Sequence, residues 1–401
     1  MVNGQLQTKN IVNEDGIIIR PADWCVIIAL ICNFLILLGE PLKNSFILSL
    51  GSRGLIFSIL GFALFQLVVT IQNKKEKNIY YLVAVIASAG VSALLSGVTA
   101  ILQHLVPLIC FFMLPISLLL YKKIYRVANI KTWIYRFNWL YTLLFTYLFF
   151  SPMSHVFYGE YGKETLDALT LGYANPNQTG IYLMISFIIA FSGFQRDMKK
   201  GRKIAYIIQS LWTFILVCQT LSRTCIILSI AIFLMWIFKR VSKVGNKFTI
   251  VCFALPLVMA CLLIFGGDKV QDILIFNEEF DTGRIDLFKS VLMKLTPTTI
   301  LFGNFSKWIG GNLHNSYFTV FAIFGLVGIV LYLVFLWKIV KDYFTQIDKK
   351  SPAAMLAYLG ILAAIVHGST ESTLLTAGMI YGSLFSLLFI LTLNENEETT
   401  E

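Results

Sequence analysis

The chain has 401 residues, of which 57% are hydrophobic and only 13% are charged. About a quarter of the residues of a soluble domain are charged, so this composition excludes an ordinary soluble protein and indicates an integral membrane protein. The formal net charge is +10, and the seven cysteines show no CxxC spacing, which indicates neither a disulfide framework nor a metal site.

About twelve apolar segments approach the length of about 20 residues that a helix needs to cross a bilayer. They predict an all-α polytopic membrane protein in which residues 1–401 form a single integral membrane domain. The first segment lacks a small-residue cleavage site after it and is predicted to be a retained span rather than a signal peptide. The predicted spans are 23–38, 54–71, 79–97, 99–120, 134–151, 173–194, 204–219, 223–238, 248–266, 315–337, 353–367 and 373–392.

The distribution of lysine and arginine predicts the orientation of these spans. If the spans alternate in direction, the segments on one side of the membrane hold 23 of the 32 Lys and Arg residues, and those on the other side hold 9. Positively charged loops remain in the cytoplasm, so both termini are predicted to be cytoplasmic. Membrane insertion then explains the net charge, and nucleic acid is not expected as a partner.

Residues 267–314, before the tenth span, form a large extracytoplasmic loop in this topology. The loop contains the amphipathic stretch RIDLFKSVLMKL, in which Ile285, Phe288, Val291 and Leu292 share one helical face. This pattern predicts a helix that lies along the membrane surface.

Ionisable groups in or beside apolar spans are costly to insert, and they are therefore candidates for function. Here they gather at the predicted outer side, whereas the cytoplasmic ends hold the expected Lys and Arg belts. Arg223 begins a helix, where a cation opposes the helix dipole unless an anion binds nearby. The outer candidates are Arg53, Arg223, Arg284, His314, His367 and Glu371. Together they suit an anionic, lipid-linked substrate.

Several of these residues also have a purely structural interpretation. Arg53 can extend its charged end to the outer interface without binding a ligand. Arg284 can form a salt bridge with neighbouring aspartates in the loop. Glu371 can pair with His367 or with a nearby arginine. At this point both interpretations stay open for each of the three.

The stretch NLHNSYF, residues 312–318, opens the tenth span. Either Asn312 or Asn315 can cap the helix that follows, because an asparagine side chain accepts a hydrogen bond from the first helical turn. His314 is not needed for capping, which favours a role in a site. Tyr317, three residues later, shares the helical face of His314 and is expected to help orient its ring or an acceptor sugar.

The sequence indicates no metal and no cofactor. It contains no GxxxxGK[ST] phosphate loop, no HExxH helix and no paired Cys/His ligand set. The acidic run Glu278, Glu279 and Asp281 has the ligand chemistry for a divalent cation, but a solvated acidic cluster is the simpler interpretation.

Four motifs resemble the bacterial O-antigen polymerase and O-antigen ligase superfamily. They are TLSRT at the start of a late helix, TGRIDLF in the large outer loop, LHNSYFTVFAIFGLVGIV leading into the next helix, and YANPNQTGIYL after the earlier outer loop. The resemblance implies a GT-C-like membrane fold. It also implies that the arginines of the outer face are Arg223 and Arg284 and that the essential histidine is His314. Glu371 matches less closely, because the spacing of an acid in this turn varies in the family.

The function implied by the resemblance is that of a Wzy-like polymerase. Such an enzyme joins oligosaccharide repeat units carried on undecaprenyl diphosphate into capsular, O-antigen or exopolysaccharide, at the outer face of the bacterial cytoplasmic membrane. Arg223 and Arg284 would bind the leaving diphosphate, and His314 would take the acceptor proton without a metal. Glu371, His367, Tyr317 and Arg53 are candidates for supporting roles.

Two alternatives remain at this point. A lipid-linked glycan ligase shares the motifs. A glycolipid flippase or secondary transporter shares the helix count, although transporters usually carry repeats and broken helices with polar residues near the membrane midplane. The expected partners are the lipid-linked oligosaccharide and membrane lipid, with a chain-length regulator and a flippase as candidate protein partners.

Overall fold

The computed structural model describes a mostly helical chain with two short antiparallel strand pairs. β1 (Ile11–Val12) pairs with β2 (Ile18–Ile19), and β3 (Val156–Phe157) pairs with β4 (Ala168–Leu169). The described residues are 11–12, 18–19, 21–73, 78–124, 126–151, 156–157, 168–196, 199–238, 244–265, 284–309, 313–347, 349, 351–371 and 379–395.

The helices follow one another along the described chain and are connected mostly by short turns. They are α1 (Pro21–Gly39), α2 (Ser45–Asn73), α3 (Asn78–Leu95), α4 (Val98–Gln103), α5 (Leu105–Tyr121), α6 (Val127–Phe150), α7 (Pro176–Gln195), α8 (Lys200–Gln219), α9 (Arg223–Ile237), α10 (Asn246–Phe265), α11 (Arg284–Leu292), α12 (Pro297–Phe302), α13 (Phe305–Trp308), α14 (Ser316–Gln346), α15 (Pro352–His367) and α16 (Met379–Thr392).

The all-α membrane class is confirmed. Within the described residues, five helices (α1, α2, α3, α7 and α14) are long and apolar enough to cross a membrane. Each predicted span overlaps a helix, and the fourth, 99–120, is divided into α4 and α5 at His104. The His104 ring packs edge-on against Phe305, with 6.2 Å between the ring centroids.

The central helices of the bundle are buried, and the peripheral helices expose apolar side chains on their outer faces. Nearly all of α15 is buried, and it packs closely on α7, because an added Cβ on Gly360 would lie 2.7 Å from the Ile188 side chain. The peripheral α2 instead presents large apolar side chains outward, and Phe57 is 74% exposed. Apolar surface of this extent is favourable in contact with lipid, not water.

Helix α14 is broken at Gly325, where the backbone adopts φ 69° and ψ −169°. Only glycine takes this conformation readily. The turn after α12 enters the break, and Gly303 there also has a positive φ of 76°. A Cβ on Gly325 would lie 2.4 Å from the Leu301 carbonyl carbon, and one on Gly303 would lie 2.3 Å from that of Ile323. Two glycines thus let two backbones touch.

The carbonyl groups of α14 just before the break, those of Ala322 and Ile323, both accept hydrogen bonds. The Ala322 oxygen accepts a hydrogen bond from the Asn304 N–H at 2.8 Å, and the Ile323 oxygen accepts one from Ser92 Oγ at 2.7 Å. Irregular backbone inside a membrane protein is tolerated where other protein groups satisfy it, and here α3 and the turn after α12 do so.

The two ends of the bundle differ in their chemistry. At one end, called the polar end, α1 and α15 end and α2, α7, α9 and α14 begin. Gln178 Nε2 at the start of α7 donates to Glu40 Oε1 after α1, and the Ser316 N–H at the start of α14 donates to the Gly368 oxygen after α15. These bonds bring four chain segments together at the polar end.

The opposite end, called the basic end, is where α7 and α16 end and α6 begins. Lys131 Nζ donates to the Leu393 carbonyl oxygen at 2.6 Å, and an Arg196 guanidinium nitrogen lies 3.2 Å from a Glu395 carboxylate oxygen. Lys131 and Arg196, two cations of the predicted cytoplasmic belts, therefore lie at the end of the bundle away from the candidate site residues.

Candidate functional site

The first turn of α14 is built by the stretch that the sequence singled out. Asn315 is the N-cap, and its side chain accepts from the Phe318 N–H at 2.9 Å, which confirms one of the two predicted caps. The other, Asn312, lies outside the described residues. Capping therefore accounts for Asn315 and leaves His314 to be explained.

The next polar groups attach this turn to the loop after α15. Asn315 Nδ2 donates to the Ser369 oxygen at 2.8 Å, and Ser316 Oγ donates to the Glu371 main-chain oxygen at 2.9 Å. The turn that carries Glu371 is thereby fixed against the start of α14. A residue 57 positions after His314 in the sequence is brought next to it.

His314 and Glu371 form the centre of the site. His314 Nδ1 lies 3.2 Å from Glu371 Oε2, and Asn177 Nδ2 donates to Glu371 Oε1 at 2.9 Å. The Glu371 side chain is 6% exposed, whereas that of His314 is 37% exposed. A buried carboxylate, itself held by an amide, thus orients a partly exposed imidazole. This is the arrangement of a general base with an orienting partner.

The backbone of His314 is in the left-handed region, with φ 49°. Strain at a non-glycine residue can mark a functional site. Lys43 and Leu221 adopt the same conformation directly before Asn44 and Ser222, the residues that precede α2 and α9. The conformation therefore belongs to turns that reverse the chain between helices, and it is not separate evidence for catalysis.

The start of α7 adds a second acidic group to the polar end. Asn175 caps α7, and Gln178 in its first turn donates to Glu40 Oε1 at 2.6 Å. Burial raises the pKa of the Glu40 carboxyl above its usual value, while hydrogen bonds from the Gln178 side chain and the Ala174 backbone oppose that rise. Glu40 was not among the predicted site residues, although an acid directly after an apolar span was the available signal.

Arg223 is placed at the polar end by the packing of α9 on α7. It is the first residue of α9 and is exposed. An added Cβ on Gly180 of α7 would lie 2.8 Å from the Ser222 Cβ, so the starts of the two helices touch. Arg223 therefore belongs to a helix start that packs against the first turns of α7. Asn177, which donates to Glu371, lies in that part of α7.

His367 is fully buried at the end of α15, and its Nε2 lies 3.6 Å from the Cys225 sulfur in α9. It connects α15 to α9 inside the bundle. The carboxylate of Glu371 contacts His314 and Asn177 at the distances given above.

The remaining candidates are Tyr317, Arg53 and Arg284. The Tyr317 hydroxyl donates to the Ile365 oxygen at 2.7 Å, and the residue is 3% exposed, so Tyr317 anchors α14 to α15 and does not orient the His314 ring as predicted. Arg53 is exposed on α2, and the described residues include no contact between it and Glu371. Arg284 begins α11, but its side chain lies outside the described part of the chain.

Helix α11 confirms the amphipathic helix predicted in the large loop. Its Phe288 ring lies 4.6 Å from that of Phe318 in the first turn of α14, and Val291 is buried in the same cluster. Phe288 and Val291 of the predicted apolar face thus pack against protein. The described part of the loop therefore contacts α14 at Phe318, which is two residues after Ser316 and close to the site. The position of α11 along the membrane surface stays a prediction.

Among the described residues, no group of three His, Cys, Asp or Glu side chains could hold a metal ion. The acidic run Glu278, Glu279 and Asp281 lies outside those residues.

Neither a scan against models of protein families nor a search of curated proteins found a match for the chain. The function is therefore inferred from the site geometry and from the motifs in the sequence.

Proposed function

We propose that the protein is a membrane glycosyltransferase that joins oligosaccharide repeat units carried on undecaprenyl diphosphate. The observation that carries this proposal is the contact of His314 Nδ1 with the buried Glu371 carboxylate, at the end of the bundle where Arg223 begins α9. A positioned base at the same end of the bundle as a cation suits glycosyl transfer from a diphosphate donor. The motifs of the O-antigen polymerase and ligase superfamily support the same reaction.

In this mechanism the acceptor hydroxyl attacks the anomeric carbon of the donor sugar. The hydroxyl proton moves to Nε2 of His314, because Nδ1 is bonded to Glu371, which stabilises the imidazolium that forms. The new C–O bond forms as the bond from the anomeric carbon to the diphosphate oxygen breaks, and the electron pair leaves with the diphosphate. No external oxidant or reductant takes part.

The leaving diphosphate needs a cation. Arg223 at the start of α9 can form bidentate hydrogen bonds with phosphate oxygens, and the α9 helix N-terminus adds its positive dipole end. The positive end of the dipole opposes the Arg223 charge, and an anion bound at this position is attracted by both. Arg284 is proposed as the second arginine on the motif alone.

The proposed topology has twelve spans, cytoplasmic termini and the polar end outside the bacterial cytoplasmic membrane. The support is the excess of Lys and Arg at the basic end. A cysteine at the exposed Ser306 of α13 should react with an impermeant maleimide in intact cells, and one at the exposed Thr345 near the end of α14 should react only after permeabilisation. The wild-type chain, with its native cysteines, measures background labelling. The reverse pattern would overturn the orientation and the site's access to the donor.

A transporter or flippase is the second candidate, and the break in α14 favours it, since transporters use broken helices at substrate sites. The break lies ten residues into α14, about 15 Å along the helix at 1.5 Å per residue. However, the backbone of α12 occupies it, and Ser92 and Asn304 bind its carbonyl oxygens. This filling gives the break a structural role and leaves the polar end as the better site.

A ligase differs from a polymerase only in its acceptor, so the acceptor decides between them. The purified chain, incubated with a lipid-linked repeat unit from its own host, should produce a ladder of lipid-linked oligomers without added metal. Transfer to lipid A core instead, with no ladder, would identify a ligase. If neither product forms and deletion of the gene abolishes export of single repeats, the transporter interpretation replaces the enzyme.

A further inference from the structure

A cavity of about 460 Å³ lies at the basic end, far along the bundle from His314. It opens between α6, the end of α7 and the start of α8, and it is called the basic pocket here. The described residues that line it are Thr132, Tyr135, Arg136, Trp139, Arg196, Lys199, Arg202, Ala205 and Tyr206. Four of these carry a positive charge, and none of those described is acidic.

The floor of the basic pocket is aromatic. The rings of Tyr135 and Tyr206 meet edge to face at 5.8 Å, and Trp139 lies 6.0 Å from Tyr206. The Tyr135 hydroxyl is hydrogen-bonded to Ser192 at 3.2 Å, on the side of the core. An added Cβ on Gly193 would lie 2.8 Å from the Tyr206 ring, so glycine lets this ring pack closely. The floor is a fixed apolar surface.

One wall of the pocket is held by neighbouring side chains. Arg196 donates to Thr132 Oγ1 at 3.3 Å and to Glu395 Oε2 at 3.2 Å, and its guanidinium lies 5.6 Å from the centroid of Tyr135. Glu395 is also within 3.6 Å of Lys131. The single described carboxylate next to the pocket is therefore shared between two cations, and the other pocket cations, Arg136, Lys199 and Arg202, are exposed.

We propose that the basic pocket binds the phosphate of an anionic lipid head group. Three arginines converge on one concave site, and arginine forms bidentate bonds with phosphate oxygens. The aromatic floor offers an apolar surface for the glycerol and upper acyl chain, and the volume lies in the range of small-ligand pockets. Basic pockets between helices at a membrane interface recognise such head groups. The proposal does not depend on the glycosyl transfer.

A belt of cations that only directs membrane insertion would need no pocket. The chain provides the comparison, because Lys200 and Lys203 are exposed in the same turn of α8 as Arg202 but do not line the cavity. Lys203 lies over the Phe194 ring instead, 5.3 Å from its centroid. Insertion alone makes the two sets of cations equivalent, whereas a phosphate site makes them different.

The test is the thermal stability of the purified full chain in detergent micelles. Added phosphatidylglycerol should raise the melting temperature, and phosphatidylcholine should not. In the Arg136→Gln/Arg202→Gln variant, the phosphatidylglycerol concentration for half the effect should rise at least about 10-fold, because two cations near an anionic head group are lost. The Lys200→Gln/Lys203→Gln variant should respond as the wild type does. Equal responses of the two variants would overturn the proposal.

A neutral substitution separates the effect of the cavity's shape from the effect of its positive charge. Ala205→Phe fills the cavity without removing a cation and should abolish the response to phosphatidylglycerol while the melting temperature in phosphatidylcholine stays within a few degrees. Inorganic phosphate alone identifies the source of the ligand: stabilisation that the arginine variant loses would support a soluble phosphate, and stabilisation by lipid alone would support the head group. A full response in Ala205→Phe would contradict binding in this cavity.

Discussion

Replacing His314 with alanine is expected to lower the rate of polymerisation by about 10²–10⁴-fold, the usual contribution of a positioned general base. The Glu371 carboxylate would keep its bond from Asn177 but lose the imidazole that it orients. The fold should survive, because Asn315 still caps α14 and Ser316 still binds the turn after α15. The measurement is initial rate with purified protein and a lipid-linked repeat unit.

His104→Ala is the matched control for this change. His104 lies between α4 and α5, and its ring packs on Phe305 of α13. It is therefore a histidine with a structural contact. Its replacement should leave the rate within a few-fold of the wild type when equal amounts of folded protein are compared. A similar loss of rate in both variants would show that the His314 effect is structural.

His314→Gln separates hydrogen bonding from proton transfer. Glutamine can donate to Glu371 and to an acceptor sugar, but it cannot take a proton at neutral pH. The wild-type imidazole takes the acceptor proton itself, whereas the amide has no basic nitrogen for it. The glutamine variant should be inactive at every pH. An active variant with the wild-type pH profile would make His314 a positioning residue and would direct the search for a base to Glu371.

The positions of the helices could be predicted because bilayer length leaves a strong local signal. Apolar runs gave a helix in each predicted range, and the local preference of asparagine for N-caps identified Asn315. The division at His104 and the break at Gly325 were not predicted. The run FGLVG is uniformly apolar, and what breaks it is the backbone of α12, whose approach no local pattern encodes.

The ionisable residues of the site could be predicted from the sequence, but their hydrogen-bond partners could not. His314 and Glu371 stood out because charged or titratable groups are rare beside apolar spans. Asn177, which holds Glu371, is 194 residues away from it, and amides are common at helix starts, so its role depended on the packing of α7. Tyr317 is a related case. Helical spacing predicted that it shares the face of His314, but its hydroxyl donates to the Ile365 oxygen of α15.

Arginine at the start of α9 is the second group whose removal should have a large effect. Arg223→Ala is expected to lower the polymerisation rate about 30-fold or more, since removing one partner of a charge pair that the bound diphosphate buries costs about 2–5 kcal/mol. Arg223→Lys should recover part of the rate, because lysine keeps the charge but lacks the bidentate geometry. Arg284→Ala should behave in the same way if the second arginine of the motif also contacts the diphosphate.

The helix dipole makes this prediction distinguishable from a loss of folding. The dipole opposes a cation at a helix N-terminus by about 0.3–1 kcal/mol, and Arg223 is exposed, so the amount of inserted protein should stay near that of the wild type. Arg53→Ala is the comparison, because Arg53 is an exposed arginine on α2, and its rate should stay near that of the wild type. If Arg223→Ala and Arg284→Ala both polymerise at the normal rate, the diphosphate is bound by other groups. If Arg53→Ala loses as much rate as they do, the rate depends on the total positive charge near the polar end and not on the specific arrangement around α9.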